Sequence, residues 1–151
     1  MNSGSGLDPF YLAYFECFNK GLYYEAHDVL EQLWLREKEK VGENGDFFKG
    51  LIQLAGAFVH LRKQYERPWH AKDGRRMLPA ARLFRLALGN LEPFAHEGAQ
   101  GIHWALDVEQ VCHFCKSSLA ALEEGGFTRN PWTPERLPQI TLEGEGAAGT
   151  A

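Results

Sequence analysis

The chain has 151 residues, 44% of them hydrophobic, 13% aromatic and 24% charged, which is one ordinary domain with enough apolar material for a core. That balance excludes disorder or low complexity as the state of most of the chain. The longest stretch free of Asp, Glu, Lys and Arg, Gly50 to Leu61, is 12 residues, short of the ~18 that a membrane span requires.

The first ten residues carry neither the basic flank nor the apolar block of a secretory leader. Three cysteines, Cys17, Cys112 and Cys115, cannot all pair with one another, and a disulfide framework needs a denser, even-numbered set, so a reducing cytoplasm is the expected location. No membrane partner is expected. The formal charge of -4 conceals two unlike parts. Eight basic residues between Arg62 and Arg85, opposed only by Glu66 and Asp73, make that segment +6 and leave -10 for the rest.

Helical periodicity dominates in chain order, and alternating strand patterns are nearly absent. Asp8 followed by Pro9 predicts an N-cap and first helical residue, opening a helix that stops near Asn19 to Gly21. A second helix is predicted from Leu22 to Lys40, with Leu22, Ala26, Val29, Leu30 and Leu33 on one face. A turn at Gly42 to Gly45 leads to Asp46, the expected N-cap of a third helix reaching Tyr65. That helix is apolar over most of its circumference and belongs at the centre of a bundle. The fourth helix starts at Asp73 or at Leu78 and ends near Leu91. Residues 93–106 read as a loop and Asp107 to Glu124 as a fifth helix.

The expected fold is therefore all-α: a single antiparallel helical bundle of about five helices with a central, buried third helix. Residues 1–151 form one domain, with 1–7 and 125–151 as extended or frayed ends.

The chemistry-bearing segment is Glu25-Ala26-His27-Asp28-Val29-Leu30-Glu31-Gln32-Leu33-Trp34. His27 and Glu31 are helical neighbours, with Trp34 a turn further on. At about 100° per residue His27 falls about 60° from Leu30, at the edge of the apolar face, while Glu25 and Asp28 turn more toward the opposite side. Gln53, His60 and Gln64 share a strip of the third helix. If the polar edges of helices two and three meet, His27, Glu31, Gln53 and His60 converge. His27, Glu31 and His60 would suit zinc, iron or manganese with a coordination position left open, as in a metal-dependent hydrolase. The same residues would equally serve a buried hydrogen-bond network that fixes the packing, or a small-molecule site.

The runs EAHDVLEQLW and GLIQLAGAFVH resemble the bacterial and archaeal family called domain of unknown function 309, in which an EAHE-x-LE-x-x-W segment precedes a GLIQ-x-A segment ending in His. Glu25, His27, Glu31, Trp34, Gly50, Leu51, Ile52, Gln53, Ala55 and His60 stand at those positions. Asp28 replaces the family's Glu, and Arg67-Pro68-Trp69-His70 occupies the place of its Gly-Asn turn. The resemblance runs from about Phe10 to Phe94 and implies a small all-helical fold with no activity attached to it.

Two other features have competing readings. Cys112-His113-Phe114-Cys115 lacks the second pair that a zinc site needs, and its spacing puts both thiols on one helical face as small core hydrophobes. Arg75, Arg82 and Arg85 lie opposite the apolar face of the fourth helix. They form either a solvated face or a surface by which a non-catalytic module engages an anionic partner. No nucleic-acid motif accompanies them, so nucleic acid is not the expected partner. A structural homo-oligomer packed through Trp104 and Trp132 is a third possibility.

Overall fold

The computed structural model describes residues 6–38, 44–96 and 102–143. Among these it is an all-α bundle of five helices: α1 (Pro9–Asn19), α2 (Tyr23–Lys38), α3 (Asn44–Glu66), α4 (Met77–Ala95) and α5 (Val108–Glu124). The expected end of the second helix at Lys40 and the first half of the Gly42–Gly45 turn lie outside the described residues, as do residues 1–5 and 144–151. Asn44 and Gly45 already belong to α3, so Asp46 lies in its first turn and is not its N-cap.

The local signals act as their chemistry requires. Asp8 caps α1 by accepting from the Phe10 amide at 2.8 Å, with Pro9 in the first turn. Gly21, at φ +79°, ends that helix, and the Leu22 amide closes back on the Cys17 carbonyl at 2.9 Å. Asp107 caps α5 through the Gln110 amide.

Helix α3 is the centre, packed between α2 and α4, with α1 against α2 and α5 against α4. Phe47, Phe48, Leu51, Leu54, Ala55, Ala57 and Leu61 are fully buried along it. Tyr14 of α1 is also fully buried, and its hydroxyl donates to the Leu51 carbonyl at 2.5 Å, satisfying the one polar atom that its ring carries into the core.

Three expectations are corrected. The fourth helix has neither of the two predicted starts: a 3-10 turn, Asp73–Arg75, precedes α4, which opens at Met77. The predicted 93–106 loop begins inside α4 and contains strand β1 (Ile102–His103), paired antiparallel with β2 (Leu106–Asp107). Trp104 and Ala105 make the turn at φ +52° and +60°, the left-handed pair a two-residue hairpin needs, here without glycine.

The predicted frayed tail is instead packed over residues 128–143. It has no helix or strand, yet Trp132, Ile140 and Leu142 are buried. Asn19 exchanges two bonds with Ile140, accepting from its amide at 2.7 Å and donating to its carbonyl at 2.9 Å. The two tryptophans expected at an oligomer contact are used internally, Trp104 against Tyr11 and Phe48, and Trp132 against Tyr23 and Tyr65.

Cys112 and Cys115 are buried and unpaired. Burial pushes their thiols up, to about 11 and about 12 respectively, with Glu92 adding to the effect at Cys112. Since only the thiolate reacts, thiol titration at pH 8 should label at most Cys17 in the native protein and all three cysteines in denaturant. Rapid labelling of all three in the native state would show that the α5 thiols are not core groups.

Candidate functional site

Helix α2 presents its polar edge as a ladder: Tyr24, His27, Asp28 and Glu31 follow one another at helical spacing. His27 Nδ1 lies 3.2 Å from Asp28 Oδ1, and the His27 side chain is 35% exposed. One ligand atom from each of His27, Asp28 and Glu31 falls within a 4.8 Å group. The Tyr24 ring stands 6.3 Å from the His27 ring. Tyr24 and Glu25 also form the α2 wall of an open groove of about 310 Å³, whose α3 wall is Val59, Arg62, Lys63 and Glu66. Arg62 is fixed there by Glu66 at 3.1 Å and by the Gly21 carbonyl at 2.6 Å. Trp34 is half-buried and packs against the core.

The expected convergence of helices two and three on His27, Glu31, Gln53 and His60 is not what the geometry gives. The strip on α3 faces α4 and the C-terminal segment. Gln53 accepts from Asn90 of α4 at 2.7 Å, and Gln64 accepts from Asn130 at 2.7 Å. The His60 ring meets Arg76, whose Nη1 lies 3.0 Å from Nδ1. Asp28 takes the place in the α2 group that His60 was expected to fill, because residues at i, i+1 and i+4 share one turn while His60 sits on the far edge of α3. Glu25 belongs to the groove wall rather than to that group.

Around His60 the electrostatics are one-sided. Its pKa is lowered, first by burial and then by the positive charges of Arg76, Lys63 and Arg82. Arg76 is itself held by Asp73, whose Oδ1 accepts from Nε at 2.7 Å. Asp73 is buried in the 3-10 turn, and it also takes Arg67 at 3.2 Å. The Arg76 hydrogen bond, with the charges of Arg76, His70 and Arg67, holds the Asp73 carboxyl below the usual carboxylate range. The sequence reading missed Arg76 as the partner of His60 and Asp73 as the group that holds Arg76, although the i, i+3 spacing of Asp73 and Arg76 was a usable signal for that pair.

The basic surface of Arg75, Arg82 and Arg85, expected to meet an anionic partner, is divided. Arg85 pairs with Glu123 of α5 at 3.1 Å, whereas the Arg82 charge acts on His60. Arg75 is exposed in the 3-10 turn. No helix of the described residues is long and apolar enough to cross a membrane.

No curated protein and no solved structure matches the chain. Residues 11–71, from the first turn of α1 to just beyond α3, match the family described as Domain of unknown function (DUF309). That segment, 61 of the 151 residues, takes in most of α1 with all of α2 and α3, including the EAHDVLEQLW and GLIQLAGAFVH runs, and is similar to the DUF309 family.

Proposed function

We propose that the protein binds a divalent transition metal through His27, Asp28 and Glu31, beside the α2–α3 groove. The observation that carries this reading is the grouping of three donor atoms within 4.8 Å. Ligands at ~2.0–2.2 Å from one ion are at most about 4.4 Å apart, so small side-chain rotations close the set. One imidazole nitrogen with two carboxylate oxygens suits zinc, iron or manganese. A three-ligand set leaves coordination positions for water or a substrate, the arrangement used in metal-assisted hydrolysis. On the groove's other wall Arg62 is taken up by Glu66, and Lys63 supplies the positive charge that would meet an anionic group of a substrate.

The test is elemental analysis of protein prepared without an affinity tag, followed by uptake of zinc, iron and manganese at neutral pH. Stoichiometric metal is expected in the parent protein. His27→Ala and Glu31→Gln should lose it with their helicity retained, because both side chains sit at the bundle's edge. His60→Ala should keep it, since His60 is outside the donor group. A parent protein that takes up no metal, or a Glu31→Gln variant that holds it as tightly, ends the proposal.

A further inference from the structure

We infer that the hollow between α5 and the 131–138 segment binds a small aromatic monocarboxylate, its ring against Phe58 and Phe114 and its carboxylate on Arg136. The hollow has a volume of about 210 Å³. An apolar cavity of about 150 Å³ takes a benzene ring, so one ring with a short acid arm is the right size. Helix α5 supplies Phe114 and Ser118, and α3 supplies the buried Phe58. The opposite wall is Pro131, Trp132, Leu137 and Pro138.

The aromatic side is built in depth. Tyr23 stacks on Phe58 with centroids 5.2 Å apart, and Phe58 stacks on Phe114 at 5.7 Å with the planes 6° apart. The series ends at Phe114, which is half-buried and open to the hollow. A further ring placed there meets aromatic walls and buries apolar area on both sides, the contribution that carries most of the affinity. The opposite wall is formed before any ligand arrives. Asn130 bonds the Leu61 carbonyl and Gln64 at one end of the segment, and Asn19 holds Ile140 at the other. Pro131 and Pro138 fix their own backbone between those anchors.

Two polar groups line this apolar chamber, and the fold uses neither. The Ser118 hydroxyl and the Arg136 guanidinium have no side-chain partner among the described residues. Glu135, next to Arg136, takes the Thr133 hydroxyl instead, and no Asp or Glu lines the hollow. A guanidinium is a planar fork of N–H donors that matches the two oxygens of a carboxylate, and one cation balances one negative charge. A phosphate group, near -2, would need a second cation, which the lining lacks. Arg136 is exposed, so it meets the acid at the mouth of the hollow, and its amide is held by the Thr133 carbonyl at 3.3 Å. Orientation follows from the neighbouring space. Phe114 also lines a second hollow of about 280 Å³, bounded by Gln110, His113 and Ser117 and without Lys or Arg, so the carboxylate goes to the Arg136 end.

The experiment is a titration of the full chain with 3-phenylpropanoate at constant ionic strength. It follows the Trp132 indole N–H resonance, assigned by its loss in Trp132→Phe. A saturable shift is expected. Arg136→Gln, a change at an exposed side chain, should weaken binding about tenfold, the loss of a charge-assisted hydrogen bond. Neutral 3-phenylpropan-1-ol should bind the parent about tenfold more weakly than the acid does, and Arg136→Gln should bind the alcohol no worse than the parent does. Arg75→Gln, outside the hollow, should bind the acid as the parent does. Four results would each overturn the inference: no saturable shift, an Arg136→Gln variant that binds the acid as tightly as the parent, hexanoate binding as tightly as 3-phenylpropanoate, or a Trp132 resonance that moves with protein concentration alone, which would put a second copy of the chain in the hollow. The readout needs no metal, so failure of the α2 metal proposal leaves it standing.

Discussion

Trp132→Ala is expected to lower the free energy of unfolding by about 3–5 kcal/mol, the range for deleting a large buried aromatic that leaves a cavity. Trp132 is 5% exposed, and its rings pack edge-on against Tyr23 at 6.2 Å and Tyr65 at 5.5 Å. Its indole N–H donates to the Tyr23 hydroxyl at 2.9 Å. The loss spreads beyond one side chain because Trp132 anchors the 128–143 segment to the bundle. Asn130 just before it bonds the Leu61 carbonyl and Gln64, and Trp132's own amide donates to Asn130. Urea denaturation gives the magnitude, and limited proteolysis shows whether the segment is released. Trp132→Phe separates the two contributions, since it keeps most of the ring and forfeits the Tyr23 bond, at about 1 kcal/mol. A Trp132→Ala variant within about 1 kcal/mol of the parent would mean that the C-terminal segment is a peripheral covering.

What the sequence disclosed and what it hid divide along the line between local and non-local chemistry. The Asp8–Pro9 start, the stop at Gly21, the apolar circumference of α3 and the spacing of Cys112 and Cys115 are local properties, and the structure reproduces them. The 128–143 segment was opaque because its prolines speak only for the absence of a helix. Its burial depends on Asn19 and Tyr23, more than 100 residues earlier. The hairpin turn was hidden because Trp104 and Ala105 hold the left-handed conformation that glycine or asparagine would have announced. The site shows the same division. Periodicity located the polar edge of α2 and the polar strip of α3, but a helical wheel gives an angle and does not say which neighbour lies there. Asn90, Arg76 and Asn130 claim the α3 strip from α4 and the C-terminal segment. His27 and Glu31 are left on α2 with Asp28, the residue that sequence reading had turned away from them.

Gly50→Ala should destabilise the protein by about 1–3 kcal/mol, although alanine is the better helix former. Gly50 lies in the buried face of α3 where it crosses α4. A Cβ there would stand 2.7 Å from Leu91 Cγ, 3.0 Å from Leu91 Cδ2 and 3.2 Å from the Ala87 carbonyl oxygen. The nearest of these is a branch carbon of a fully buried leucine and the last is main chain, so relief requires the helices to separate. Gly56, one and a half turns further along, gives the control. Its Cβ would meet only Leu83 Cδ1 at 3.1 Å, the tip of a half-buried side chain that can rotate aside. The propensity gain, about 0.5–1 kcal/mol, then competes with a small displacement, and Gly56→Ala should fall within about 1 kcal/mol of the parent. The contrast between the two variants in thermal or urea unfolding is the measurement. Equal effects at both positions would show that helix propensity, and not the close approach of α3 and α4 at Gly50, governs the outcome.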